Sequence, residues 1–153
     1  MNHFQILDYR PDLQHHFERI NKQWINEFFE LEEFDKLQLE NPDANIISKG
    51  GAIIFAQDNS QIIGAVALSK VEEGVYEMIK MGVSPEARGK KIGLFLGQQI
   101  LEKAKAMGAH KVILYSNTKL GPALSLYRKL GFREATKECG KYGRCDVKME
   151  IEL

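Results

Sequence analysis

The apolar positions change period along the chain, and each change marks an element. Phe4 to Tyr9 alternates apolar and polar side chains as a half-buried strand does. Pro11 then stands where a helix commonly begins, and Leu13, Phe17, Ile20, Trp24 and Phe28 recur at steps of three or four, which predicts an amphipathic helix. Phe34 to Leu39 predicts a second, shorter helix ended by Asn41-Pro42, because proline drives its predecessor out of helical geometry. After a turn at Gly50-Gly51, Ala52 to Ala56 and Ile62 to Leu68 are β-rich runs joined through Asp58-Asn59-Ser60, and Val75 to Val83 is a further strand entered from Glu73-Gly74. Beyond Arg88 the helical period returns. Gly93, Leu96, Gly97, Ile100, Ala104 and Met107 share one face, and Gly108 stops the helix.

Val112 to Tyr115 is short and almost wholly apolar, as expected of a strand covered on both faces. Pro122 opens another helix that runs to Leu130 and stops at Gly131, and two last strands, Arg133 to Glu138 and Arg144 to Glu150, flank a turn from Gly140 to Gly143. This order predicts an α/β (α+β) fold: a mixed, mostly antiparallel central sheet of about seven strands with helices on both faces. At 153 residues, with no repeat or linker, the chain reads as a single domain over 1–153.

Charge narrows the function classes. The 21 basic residues balance 21 acidic ones, so no global field draws the protein to nucleic acid or to an anionic membrane surface. The longest apolar runs are strand-sized, far short of the ~20 residues a membrane span needs. The first residues show no basic segment followed by an apolar run, so a cytoplasmic location is expected; its reducing conditions argue against a bridge between Cys139 and Cys145. No metal is expected. His15-His16 lies within the first helix without a Cys or carboxylate constellation around it.

The segment Val83 to Gly93 joins a strand to the longest helix, and there a glycine-containing loop presents backbone N–H groups that lack intrahelical partners, at the positive end of the helix dipole. Such a site suits a pyrophosphate. Arg88, Lys90 and Lys91 add positive charge, while Gly89 and Gly93 allow close approach of backbone to ligand and of helix to sheet. The plainer alternative is a solvated basic turn. The loop is neither a Walker motif nor a Gly-x-Gly-x-x-Gly fingerprint.

Arg88-Gly89-Lys90-Lys91-Ile92-Gly93 resembles the acetyl-coenzyme A motif of the GNAT superfamily of N-acetyltransferases, with Lys91 where the family usually has its middle glycine. Ala123-Leu124-Ser125-Leu126-Tyr127-Arg128-Lys129-Leu130-Gly131-Phe132 is similar to a second, more specific segment of the same family. The resemblance implies transfer of an acetyl group from acetyl-coenzyme A to a primary amine of a small molecule or peptide, by direct attack in a ternary complex. It implies that Met81, Gly82 and Val83 pair with the pantetheine arm through their backbones on a bulged, splayed strand, Gly82 being suited to the distortion, and that Arg88, Gly89, Lys90, Lys91, Ile92 and Gly93 hold the pyrophosphate. Tyr127 would protonate the departing thiolate, a phenol near ~10 being reasonably matched to a thiol near ~8.5. Without the motif it reads as a core aromatic beside Ala123, Leu124 and Leu130.

The resemblance implies that Glu77 or bound water takes the proton of the amine; without it Glu77 reads as a strand glutamate paired to a nearby lysine. By strand parity Glu77 shares a face with Val75, Ile79 and Met81. Leu120 stands where the family often has a cofactor-lining asparagine, and Asn117 either substitutes for it or forms a turn with Thr118. In the family the region after the first helix helps form the acceptor pocket. Here it carries Glu27, Glu30, Glu32, Glu33, Asp35, Glu40 and Asp43, an acidic rim for cationic amines or a solvated face, and Trp24, Phe28 and Phe29 either wall a pocket or pack in the core. Many relatives pair through C-terminal strands, and Val147, Met149 and Ile151 alternate as an edge strand does, which makes a homodimer an expectation. Two further readings are a catalytically silent acetyl-coenzyme A binding module and, more weakly, nucleic-acid binding through the basic loop.

Overall fold

The computed structural model describes residues 4–135 and 145–153. Its centre is a seven-stranded sheet in the order β1-β2-β3-β4-β5-β7-β6, formed by β1 (Gln5–Asp8), β2 (Ala52–Asp58), β3 (Gln61–Glu72), β4 (Val75–Val83), β5 (Lys111–Ser116), β6 (Arg133–Glu134) and β7 (Val147–Glu152). Every pairing is antiparallel except that of β4 with β5. Four helices cover it: α1 (Gln14–Phe28), α2 (Glu33–Glu40), α3 (Ile92–Ala106) and α4 (Gly121–Leu130).

The sheet separates two cores. Phe17, Ile20 and Ile25 of α1 and Leu39 of α2 pack on Ile53 and Phe55, while Leu96 and Ile100 of α3 and Leu124 of α4 pack on the other face with Ile54, Val66 and Leu68. Successive residues of β2 thus serve opposite cores, which is why that run reads as continuously apolar. Helix ends follow their sequence signals: Pro122 lies in the first turn of α4, and Gly131 closes the helix in the left-handed conformation at φ 109°. A short turn over Asp43–Ile47, one residue beyond Pro42, has no clear sequence signal.

Three expectations need correction. Between β3 and β4, Ala67 faces Ile79 and Ala65 faces Gly82, so β4 carries one extra residue, and Lys80 stands at φ 54°. The bulge is therefore at Lys80 and Met81 rather than at Gly82. It also reverses parity. Ile79 belongs to the α1 side, whereas Met81 packs with Met78 on the α3 side, so Glu77 and Met81 do not share a face. Secondly, β7 is not an edge: it pairs with β5 on one side and β6 on the other, and Val147 and Met149 are buried. Thirdly, Cys145 is disulfide-bonded, against the expectation of free thiols. Cys139, the Gly140 to Gly143 turn and much of the predicted strand from Arg133 to Glu138 lie outside the described residues.

Candidate active site

β4 and β5 run in parallel for only three residue pairs, the last being Glu77 with Ile113, although β4 continues to Val83 and β5 to Ser116. The cause lies in the bulge one turn of pleat further on, since an extra residue bends its strand and sharpens the twist. The wedge between the parted strands opens into a cavity of about 750 Å³. Met81, Gly82, Val83, Arg88, Gly89, Lys91, Ile92, Gly93, Asn117, Tyr127 and Glu77 all line it. Of the expected site residues, Lys90 alone is not among them.

Local sequence builds each wall. Pro85–Ala87 forms a single tight helical turn, after which Gly89 takes φ 85°, and Lys91 closes the loop as the residue before α3 at φ 62°, ψ 23°. A Cβ at Gly89 would meet nothing within 4 Å, so glycine serves the backbone conformation there rather than a crowded contact. Lys91 occupies the left-handed geometry for which a glycine is the unstrained choice, at a cost of roughly 1–2 kcal/mol. The fold thus accommodates the departure from the family motif, and Lys91, Ile92 and Gly93 at the start of α3 line the cavity. Arg88 meets Glu27 at 3.5 Å, with both side chains more than two-fifths exposed. A pair of that kind contributes about 0–1 kcal/mol and yields readily to a phosphate.

On the opposite wall, Asn117 forms the turn and also lines the cavity: its Oδ1 accepts the Lys119 amide at 2.8 Å. Asp146 anchors the same loop, accepting from the Thr118 amide at 2.9 Å and from its hydroxyl at 2.8 Å. Tyr127 rests edge-on against Phe132 with ring centroids 6.2 Å apart. Burial pushes its phenol up to about 12. Tyr9 is also raised to about 12, by burial first and then by donating to Asp43 at 2.9 Å. A raised pKa stabilises the fold fully below the unfolded value of about 10 and is lost as pH rises through the folded value. An alkaline ultraviolet titration is therefore expected to show Tyr9 and Tyr127 ionising near 12, with the Tyr127 contribution absent in Tyr127→Phe. An unchanged late phase in that variant would show that the Tyr127 phenol is solvated.

Glu77 is only 5% exposed, on the side of β4 that faces α1 and α2. Three residues on, Lys80 is buried beside it on the same cavity wall, and its Nζ donates to Asp35 Oδ1 at 2.5 Å, with side-chain exposures of 3% and 0%. The pair leaves no mark in the sequence, where Asp35 is expected on an acidic rim or a solvated face. The remaining acids of that stretch do not line the cavity either. Trp24, Phe28 and Phe29 do, so they form a wall. Lys119 reaches across the mouth, with Nζ 4.9 Å from the Phe29 ring centroid and 3.2 Å from the Phe28 carbonyl oxygen.

Among the described residues no group of three or more His, Cys, Asp or Glu side chains is arranged to hold a metal, and no helix is long and apolar enough to cross a membrane.

The acetyltransferase (GNAT) family model matches residues 13–132. An uncharacterized N-acetyltransferase of Schizosaccharomyces pombe is 31% identical over 98 residues, covering 63% of this chain and 60% of that protein's length. The crystal structure of a GNAT-family acetyltransferase from Staphylococcus aureus Mu50 superposes with a TM-score of 0.88 at 21% identity, over 98% of this chain and 99% of the other. That of a spermidine N-acetyltransferase from Vibrio cholerae, in complex with CoA and spermine, does so with a TM-score of 0.76 at 23% identity, over 98% and 95%. Both structures share the fold.

Proposed function

The chain belongs to the GNAT acetyltransferase family, and on that premise we propose that it is an N-acetyltransferase, moving the acetyl group of acetyl-coenzyme A to a primary amine by direct attack in a ternary complex. One observation carries this reading: a phenol, a buried carboxylate and the amide-rich entry to α3 converge on the single wedge between β4 and β5. The residues present fit acetyl-coenzyme A. The open space around Gly89 and the amides preceding Gly93 suit a pyrophosphate, with Arg88, Lys90 and Lys91 supplying charge.

The backbone of Met81, Gly82 and Val83, beyond the last β4–β5 pair, is available to an extended arm as an added strand. When bound, acetyl-coenzyme A supplies an activated acyl group and a thiol leaving group. The amine arrives as ammonium, and Glu77 or a water beside it removes the proton that blocks attack. Tyr127 keeps its proton throughout the physiological range and donates a hydrogen bond where negative charge collects on sulfur. Asn117 supports the wall opposite the loop.

The protein works in this reading as one domain, without nucleic acid or membrane. With β7 paired on both sides, a homodimer is not expected to form by adding a strand beside it, and light scattering gives the mass in solution. The test is thiol release from acetyl-coenzyme A with and without a panel of primary amines, checked by mass spectrometry of the products. Amine-dependent release with an acetylated product is expected; release at the same rate without amine would overturn the proposal.

A further inference from the structure

We propose that the acceptor is a monoamine carried on a flat apolar body, an arylalkylamine, rather than a polyamine or a lysine-rich peptide. This rests on the acetyl-transfer reading above and concerns the wall of the same cavity that α1 supplies.

The first observation is a fixed aromatic platform beside the bulge. Trp24 Nε1 donates to Asn21 Oδ1 at 2.8 Å, and Asn21, fully buried, is itself held by donating from Nδ2 to the Phe17 carbonyl at 3.0 Å. The indole edge lies so close to Gly82 that a Cβ there would stand 2.9 Å from Trp24 Cδ1. Its orientation is thus set before any ligand arrives, and an aromatic surface held in this way binds another ring without first losing rotamer freedom. Phe28, 42% exposed, extends the platform to the mouth.

The second observation is charge. None of the seven acids between Glu27 and Asp43 lines the cavity, and four of them are engaged elsewhere: Glu27 meets Arg88, Asp35 meets Lys80, Glu40 meets Lys22, and Asp43 accepts from Tyr9. On the acceptor side, Glu77, Lys80 and Asp35 together carry one net negative charge when ionised, enough for a single ammonium. Lys119, set over the Phe29 ring, places a positive charge beside the aromatic wall and disfavours a second ammonium there. The wall therefore favours one charge at depth and an apolar body behind it.

The chain's sole tryptophan reports this site without turnover. Titration of 2-phenylethylamine is expected to change Trp24 emission saturably, whereas spermidine at equal concentration does not. In the thiol-release assay, kcat/KM for 2-phenylethylamine is expected to exceed that for spermidine, and for propylamine, by about tenfold or more, in line with what contacts in an apolar pocket discriminate. Trp24→Ala and, since the Trp24 site is packed, the more exposed Phe28→Ala are each expected to raise KM for 2-phenylethylamine about five- to tenfold more than KM for propylamine. Preference for spermidine in either measurement, or equal losses for both monoamines in Phe28→Ala, would overturn the inference. Saturable binding of 2-phenylethylamine without acetylation would instead overturn the acetyl-transfer reading and leave the recognition site standing.

Discussion

Tyr127→Phe is expected to lower kcat for acetyl transfer by about 10²- to 10⁴-fold while leaving the affinity for acetyl-coenzyme A within about twofold. The substitution removes one oxygen and keeps the ring that packs against Phe132, so the fold should survive it. The size of the loss follows from the environment of the phenol. Burial pushes its pKa up to about 12, so the phenol holds its proton more tightly than a free tyrosine does. The useful contribution is thus a hydrogen bond that strengthens as charge develops on sulfur. A consequence is that Tyr127 does not itself impose an alkaline limb on the rate below about pH 10. Steady-state kinetics in the two proteins decide the matter: an unchanged kcat would reduce Tyr127 to a core aromatic.

The largest loss of stability is expected from Asp35→Ala. It strips the buried Lys80 ammonium of the carboxylate at 2.5 Å, and breaking such a pair costs about 3–5 kcal/mol. Asp35 also accepts the Glu32 amide at 3.0 Å as part of the capping box of α2, so the variant loses a helix cap as well. For a chain of this size the melting temperature should fall by roughly 6–20 °C. Replacing both partners by apolar residues, Asp35→Leu with Lys80→Met, should recover most of that fall, because the charge is removed along with its partner. If the single variant melts within about 2 °C of wild type, the pair is solvated and α2 does not depend on it.

The same pair shows where legibility ended. Period alone was enough for the helices of α1 and α3 and for the order of strands, because long amphipathic faces leave regular marks at Phe17, Ile20 and Trp24 or at Leu96 and Ile100. The Pro122 and Gly131 signals bounded α4 for equally local reasons. The bulge was lost because strict alternation was carried through β4. Yet Glu77 and Lys80, two charges three positions apart in an otherwise apolar strand, cannot both avoid the α3 core without an inserted residue. That mismatch was the available signal. The destination of Asp35 had no such signal, since one carboxylate among seven acids looks solvated until a distant lysine is shown to lie above it. For the site, two motif segments located the loop and Tyr127, but the aromatic wall was ambiguous, because Trp24 and Phe28 sit at the spacing that core residues also use.

Binding of acetyl-coenzyme A at the turn between β4 and α3 underlies every catalytic role assigned above, and a thermal melt with and without that ligand tests it, repeated with Arg88→Glu. At about 100 times the dissociation constant, linkage gives about 2.7 kcal/mol of added stability, a rise of roughly 5–10 °C. That rise in the wild type, abolished or sharply reduced in Arg88→Glu, is the expected result. No shift in the wild type at millimolar ligand, or an equal shift in the variant, would contradict binding at this turn.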